Sequence, residues 1–96
     1  MAIGIVARLE IQEGKNEEFE AAFAELKSAV TANEPGVNFY SLHRSRESET
    51  TYVVLEQYAD QAAFDAHGAT DHMKTIGAKL GACFAEAPGI ELLDAV

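Results

Sequence analysis

Three histidines, a glutamate among apolar neighbours and three tyrosines are the side chains of this sequence best suited to chemistry. His67 and His72 lie five residues apart with Gly68 between them, so they are not the i, i+4 pair that grips a metal on one helical face. The third histidine, His43, falls in a separate segment of strand-like alternation. A three-histidine metal site would need a strict geometry that this spacing does not offer, and no metal is expected. Each histidine has a plain structural account, as a helix cap or a surface residue, and a histidine near a helix C-terminus gains from the dipole. The chemical account of His67 is a general base whose neutral imidazole takes a proton.

Glu56 interrupts an apolar strand face, with Val54 and Tyr58 on the same side. A carboxylate there needs a partner, or burial raises its pKa. It is either a proton acceptor or orienter of His67, or a structural group: a salt-bridge partner of Arg8 or Arg44, or a cap on a helix end. Tyr40, Tyr52 and Tyr58, with Asn38, set hydroxyls and an amide among apolar residues. Such a wall suits a flat aromatic or carbonyl ligand, although core tyrosines with satisfied hydroxyls look the same. Gly77 and Gly81 fall inside one expected helix, at about 1 kcal/mol each relative to alanine. Either that helix packs close to its neighbour or it leaves volume for a ligand. Cys83 is the single cysteine, and packing is its expected role. No phosphate-binding glycine loop, dinucleotide fingerprint or serine elbow is present, so no cofactor is expected.

The elements that must position these residues are legible from periodicity. Ile3, Ile5, Ala7, Leu9 and Ile11 alternate with Gly4, Val6, Arg8 and Glu10, which predicts a strand packed on one side. Phe19, Ala22, Phe23, Leu26 and Val30 recur at helical spacing, predicting a helix over 15–33 that Pro35-Gly36 ends. Residues 37–45 and 51–58 predict an antiparallel hairpin. Asn38, Tyr40, Leu42 and Arg44 should share one face of its first strand, with Phe39, Ser41 and His43 on the other. Asp60 caps a short helix to about His67, and Thr70 caps a second reaching about Ala87. A last strand runs from Ile90 to Val96. The order is β-α-β-β-α-β, a single ferredoxin-like α+β domain over 1–96 with a four-stranded antiparallel sheet and helices on one face. Val6, Phe39, Val53 and Leu55 would then form a second apolar face, large enough to require a partner such as another copy of the chain.

Composition narrows the partners. Sixteen acidic residues against seven basic ones give a net charge of −9, which repels phosphate backbones and anionic lipid, so neither nucleic acid nor membrane is expected. No apolar run reaches the ~20 residues needed to span a bilayer, and the first residues lack the pattern of a secretion signal. With one cysteine and no disulfide possible within the chain, a cytoplasmic location is expected.

Five short runs carry a resemblance. Ile11-Gln12-Glu13-Gly14-Lys15-Asn16-Glu17-Glu18-Phe19, Glu34-Pro35-Gly36-Val37-Asn38-Phe39-Tyr40 and Tyr52-Val53-Val54-Leu55-Glu56-Gln57-Tyr58 occur in that order. They are followed by Phe64-Asp65-Ala66-His67 and Thr70-Asp71-His72-Met73. Together they resemble the antibiotic biosynthesis monooxygenase family across essentially the whole chain. The resemblance implies a dimeric α+β barrel with a pocket between sheet and helices in each subunit. It also implies oxidation of quinols or anthrones by O₂ without metal or flavin. Other relatives degrade haem or rearrange a small phosphorylated carbonyl compound. The haem-degrading branch uses an asparagine, a tryptophan and a histidine, which fall near Ala7, His67 and Gly77, and this chain has no tryptophan.

The expected activity is therefore cofactor-independent oxidation of a small phenolic or quinol-type substrate by O₂. His67 is the expected base and Glu56 its orienter, with Tyr40 and Asn38 as hydrogen-bond donors. His72, Tyr58 and Tyr52 are expected to touch the substrate. The alternatives are an isomerase of a small hydroxy-ketone and a non-catalytic small-molecule-binding protein.

Overall fold

Alternation and helical periodicity become seven elements in the computed structural model, which describes residues 1–96. They are β1 (Ile3–Glu10), α1 (Asn16–Asn33), β2 (Val37–Arg44), β3 (Thr51–Tyr58), α2 (Gln61–Gly68), α3 (Asp71–Gly81) and β4 (Gly89–Asp94). The strands form one sheet in the order β2-β3-β1-β4, and every neighbouring pair is antiparallel. This is the ferredoxin-like α+β arrangement, with the second helical segment divided in two.

The core lies between the sheet and the helices. Ile5, Ala7 and Leu9 of β1 meet Phe19, Phe23, Leu26 and Val30 of α1, all buried. Each large apolar side chain removed from water there contributes about 1.5–3 kcal/mol. The helical layer stops short of β4. Ile90 and Leu92 share a face with Ala7 and Ile5, yet remain 53% and 55% exposed. No helix is long and apolar enough to cross a membrane.

Local expectations are corrected at three places in the fold. The helix expected to reach Ala87 ends at Gly81. Beyond it the backbone finds partners on the β1 side: Gln12 N–H donates to the Cys83 carbonyl, Ala85 N–H donates to the Glu10 carbonyl, and Ile11 bridges Phe84. Those bonds outweigh another helical turn after a glycine. The final strand likewise closes at Asp94, before Val96.

The second correction concerns β2. Val37 pairs with Tyr58 and Phe39 with Gln57, so Asn38 is the extra residue of a bulge. A bulge shifts the alternation by one position. Tyr40 and Leu42 therefore face the helices with Val37, while Asn38 is exposed and donates from Nδ2 to Oε1 of Gln57 at 2.8 Å.

The third concerns Gly36, expected with Pro35 to end the first helix. Only Gly14 has a positive φ, at 85°. Gly36 is needed for contact instead: a Cβ built on it would lie 2.6 Å from Cβ of Ala63 in α2. Gly36→Ala is expected to cost about 1–3 kcal/mol by overpacking. Thermal unfolding checks this, and Ala63→Gly in the same chain should recover part of the loss.

Candidate active site

α1 ends at Asn33, and Glu34 follows as its cap, its backbone N–H returning to the Val30 carbonyl. A carboxylate at the negative end of a helix dipole is unfavourable without compensation. Two imidazoles supply it. Oε1 of Glu34 lies 2.9 Å from Nδ1 of His67, and Oε2 lies 2.5 Å from Nε2 of His72. His67 occupies the last turn of α2 and His72 the first turn of α3. Thr70 sets the angle between those helices: its hydroxyl donates to the His67 carbonyl and accepts from Met73 N–H. Asp60 fixes the other end of α2 by accepting from Ala63 N–H at 2.8 Å.

The His67 ring is wedged between Tyr40 and Tyr58, with centroids 5.4 and 5.2 Å away. It borders a cavity of about 280 Å³ between the sheet and α3. Ile5, Ala7 and Leu9 make the floor, Met73, Gly77 and Leu80 the roof, and Ile90 stands at the β4 edge. Glu56, Tyr40 and His67 supply its polar wall. A wider depression of about 820 Å³ beside the β2–β3 turn is lined without a hydrophobic residue and is open surface.

The polar wall is held from behind. Tyr58 donates its hydroxyl to Oε1 of Glu56 at 2.5 Å. Burial raises the Glu56 pKa, against the opposing pull of that hydrogen bond and of His67. Burial and the neighbouring Glu56 push the Tyr58 phenol far up, and burial does the same to Tyr40 with Glu56 and Glu34 adding to it. Both phenols therefore stay protonated at physiological pH. Tyr40 Oη, Glu56 Oε2 and His67 Nε2 make no hydrogen bond within the protein. No buried side-chain nitrogen or oxygen is left without a partner, so each of these three atoms reaches accessible space. Tyr40, Glu56 and His67 thus bring a phenol, a carboxyl group and an imidazole to an otherwise largely apolar lining.

The structure gathers His67, Glu56 and Tyr40 on one cavity and leaves the other expected residues elsewhere. Asn38 is carried to the outer face by the bulge. Tyr52 turns inward at the opposite end of β3, under Phe19 at 4.7 Å, where its hydroxyl donates to Glu20 and accepts from Asn16. Tyr58 is fully buried and supports Glu56 rather than lining the cavity. His72 is absent from the lining because its ring is drawn to Glu34. Glu56 is not hydrogen-bonded to His67; that position belongs to Glu34, which sequence reasoning missed. The available signal was an acidic residue at a helix C-terminus, where the dipole disfavours it. Glu56 forms no salt bridge with Arg8 or Arg44; Arg44 lies 4.0 Å from Glu20. No three His, Cys, Asp or Glu side chains are grouped to hold a metal ion. Cys83 is fully buried against Glu18, and burial raises its thiol pKa.

Gly77 resolves the question of the helical glycines. A Cβ there would meet only the Met73 methyl at 3.8 Å, so the glycine leaves cavity volume. Gly81 has nothing within 4 Å and borders no cavity wall.

The raised Glu56 pKa has a consequence for stability. A carboxyl whose folded pKa exceeds its unfolded value favours the fold at low pH and loses that contribution as pH rises through the folded value. Glu56→Gln should therefore raise Tm above neutral pH, and the gain should vanish below about pH 4, the ordinary carboxylate range. Unfolding measured across pH 4–8 checks the sign.

Comparison with known proteins agrees with this arrangement. The family model described as antibiotic biosynthesis monooxygenase matches residues 2–79. A candidate antibiotic biosynthesis monooxygenase from Caulobacter crescentus CB15 superposes with a TM-score of 0.96 at 49% identity, over 99% of this chain and 90% of that one. A conserved protein from Methanosarcina mazei Go1 gives 0.89 at 27% identity, over 97% and 91%. A variant of SnoaB, a cofactor-independent oxygenase from Streptomyces nogalater, gives 0.83 at 26% identity, over 98% and 92%. No curated protein matches. With the family model spanning β1 through most of α3 and these structures superposing over nearly every residue, this chain belongs to the antibiotic biosynthesis monooxygenase family.

Proposed function

We propose that this protein is a cofactor-independent monooxygenase of a small quinol or phenol, with His67 as the base. The observation that carries the reading is the polar trio of His67, Glu56 and Tyr40 on an apolar cavity, with Glu34 orienting the imidazole. A cavity of about 280 Å³ lies at the lower end of the range for small-molecule sites and suits one or two fused rings. The similarity to SnoaB, described as a cofactor-independent oxygenase, supports the same class of chemistry.

His67 Nε2 removes the proton of a ring hydroxyl, and Tyr40 donates a hydrogen bond to the anion that forms. The electron-rich anion passes an electron to O₂, and recombination makes a C–O bond on the ring. The electrons balance without a cofactor. A naphthalenediol plus O₂ gives a hydroxynaphthoquinone plus water, the substrate supplying all four electrons.

An oxygen electrode with 1,4-naphthalenediol tests the reading. O₂ uptake above the uncatalysed rate should persist in EDTA, with one atom of ¹⁸O₂ entering the product. Turnover of a hydroxy-ketone without O₂ uptake would replace it with an isomerase. Binding of 1-naphthol without turnover of either substrate would leave a binding protein.

The working unit is proposed to be a homodimer. Cross-strand rows put Phe39, Gln57, Gly4 and Leu93 on the outer face beside Ser41, Leu55, Val6 and Glu91. Phe39, Leu55 and Leu93 are exposed there. Sedimentation should give twice the chain mass, and Leu55→Lys should yield a monomer; a monomeric wild type would remove the proposal.

A further inference from the structure

The reading of His67 as a base leaves His72 without a task, although its contact with Glu34 is the shorter of the two. Glu34, His67 and His72 form a chain from the cavity to the surface. His67 borders the cavity and its Nδ1 meets one oxygen of Glu34; the other oxygen meets Nε2 of His72. Nδ1 of His72 has no partner within the protein and reaches solvent. The side chains of Glu34 and His67 are each 7% exposed, against 16% for His72.

We infer that His72 is a positioning residue of this site: His67 and His72 hold one positive charge between them on Glu34, so that a proton gained at Nε2 of His67 is matched by one lost from Nδ1 of His72. The inference rests on the reading of His67 as the base.

Charge balance in a poorly hydrated place is the reason. One carboxylate compensates one imidazolium, and a second would stand uncompensated. The other groups facing the pair are few. From β3, Glu56 faces His67; burial favours its protonated form, while the Tyr58 hydrogen bond and His67 itself oppose that shift. Tyr40 from β2 and Tyr58 from β3 are neutral phenols. Lys27 of α1 borders the same surface groove as Glu34 but makes no ion pair with it, and the lysine and arginine ion pairs lie elsewhere. On α3, Asp71 and Lys74 flank His72 and are exposed.

Two influences set where the charge resides. Greater exposure and the shorter contact favour His72, whereas the C-terminus of α2 and the N-terminus of α3 favour His67. These influences oppose each other. In the reaction the substrate O–H bond breaks and an N–H bond forms at Nε2 of His67. The N–H bond at Nδ1 of His72 breaks to water, and the charge of the trio is unchanged. No proton has to cross the carboxylate.

The test is an NMR titration of the imidazole ¹⁵N signals in the full chain without substrate, so it fails independently of the oxygenase reading. His67 and His72 should each show two inflections, because coupled sites titrate as a pair, while His43 shows one. His72→Gln keeps an N–H for Glu34 but cannot ionise. In it, His67 should show a single inflection that lies between the two of the wild type. Glu34→Gln, a second variant should the first fail to fold, should move the His67 curve to lower pH. Single inflections for both rings in the wild type, or a His67 curve that neither substitution moves, would overturn the inference.

Discussion

Replacing His67 by alanine is expected to lower turnover of 1,4-naphthalenediol by roughly 10²–10⁴-fold, the usual worth of a positioned general base. Alanine also leaves Oε1 of Glu34 without its partner at 2.9 Å, and an orphaned buried acceptor costs about 1–3 kcal/mol. A loss of activity in that variant could therefore be a loss of fold. His67→Asn separates the two: its amide can reach Glu34 as Nδ1 does, but it has no nitrogen at the Nε2 position. It should melt near the wild type and be as inactive as the alanine variant. Glu56→Gln should cost less turnover than either, because it keeps the shape and the acceptor for Tyr58. His43, exposed on the outer face of β2, is the control, and His43→Ala should change little. Wild-type turnover in His67→Asn would remove His67 as the base and leave it a structural tie between α2 and Glu34.

Filling the cavity should be as damaging to function and should leave the fold stronger. Gly77→Leu replaces a helical glycine by a good helix former, worth about 0.8–1 kcal/mol, or ~4–8 °C in Tm for a domain of this size. Its side chain enters a space of about 280 Å³, where only the Met73 methyl stands near the Cβ position. Binding of 1-naphthol should weaken by roughly 100-fold or more, about 2.7 kcal/mol. Gly81→Leu, near the end of the same helix but away from the cavity, should leave binding unchanged. Stability and binding thus move in opposite directions in Gly77→Leu, which general damage to the protein would not produce. Unchanged 1-naphthol affinity in a folded Gly77→Leu protein would place the ligand elsewhere.

The residues of the site differ in how far local pattern could assign them. Tyr40 and Glu56 were legible as inward-facing polar groups, because β-strand side chains alternate and their neighbours Leu42, Val54 and Tyr58 are apolar. His67 was legible as the end of a short helix, because Asp60 caps its start and Gly68 ends it. Asn38 followed the same alternation and was misplaced by it, since a bulge depends on how β2 pairs with β3 and leaves no mark on β2 alone. The Phe84 segment was misread as helix for a related reason: the hydrogen bonds that draw it away come from β1, at the other end of the chain.

Strand alternation, helical period and capping are steric and short-range, so this chain's residues by themselves determined four strands, the helices, the ferredoxin-like order and the acidic charge that disfavours phosphate partners. Glu34, His67 and His72 became one group only in the tertiary structure. Glu34 is 33 residues from His67 and 38 from His72 along the chain. Their meeting depends on how the end of α1 lies against the junction of α2 and α3, which packing of the helices on the sheet decides. The cavity has the same origin: Gly77 alone marks only a missing side chain, and it encloses space because Met73 and Leu80 roof a floor of β1 residues from the far end of the sequence.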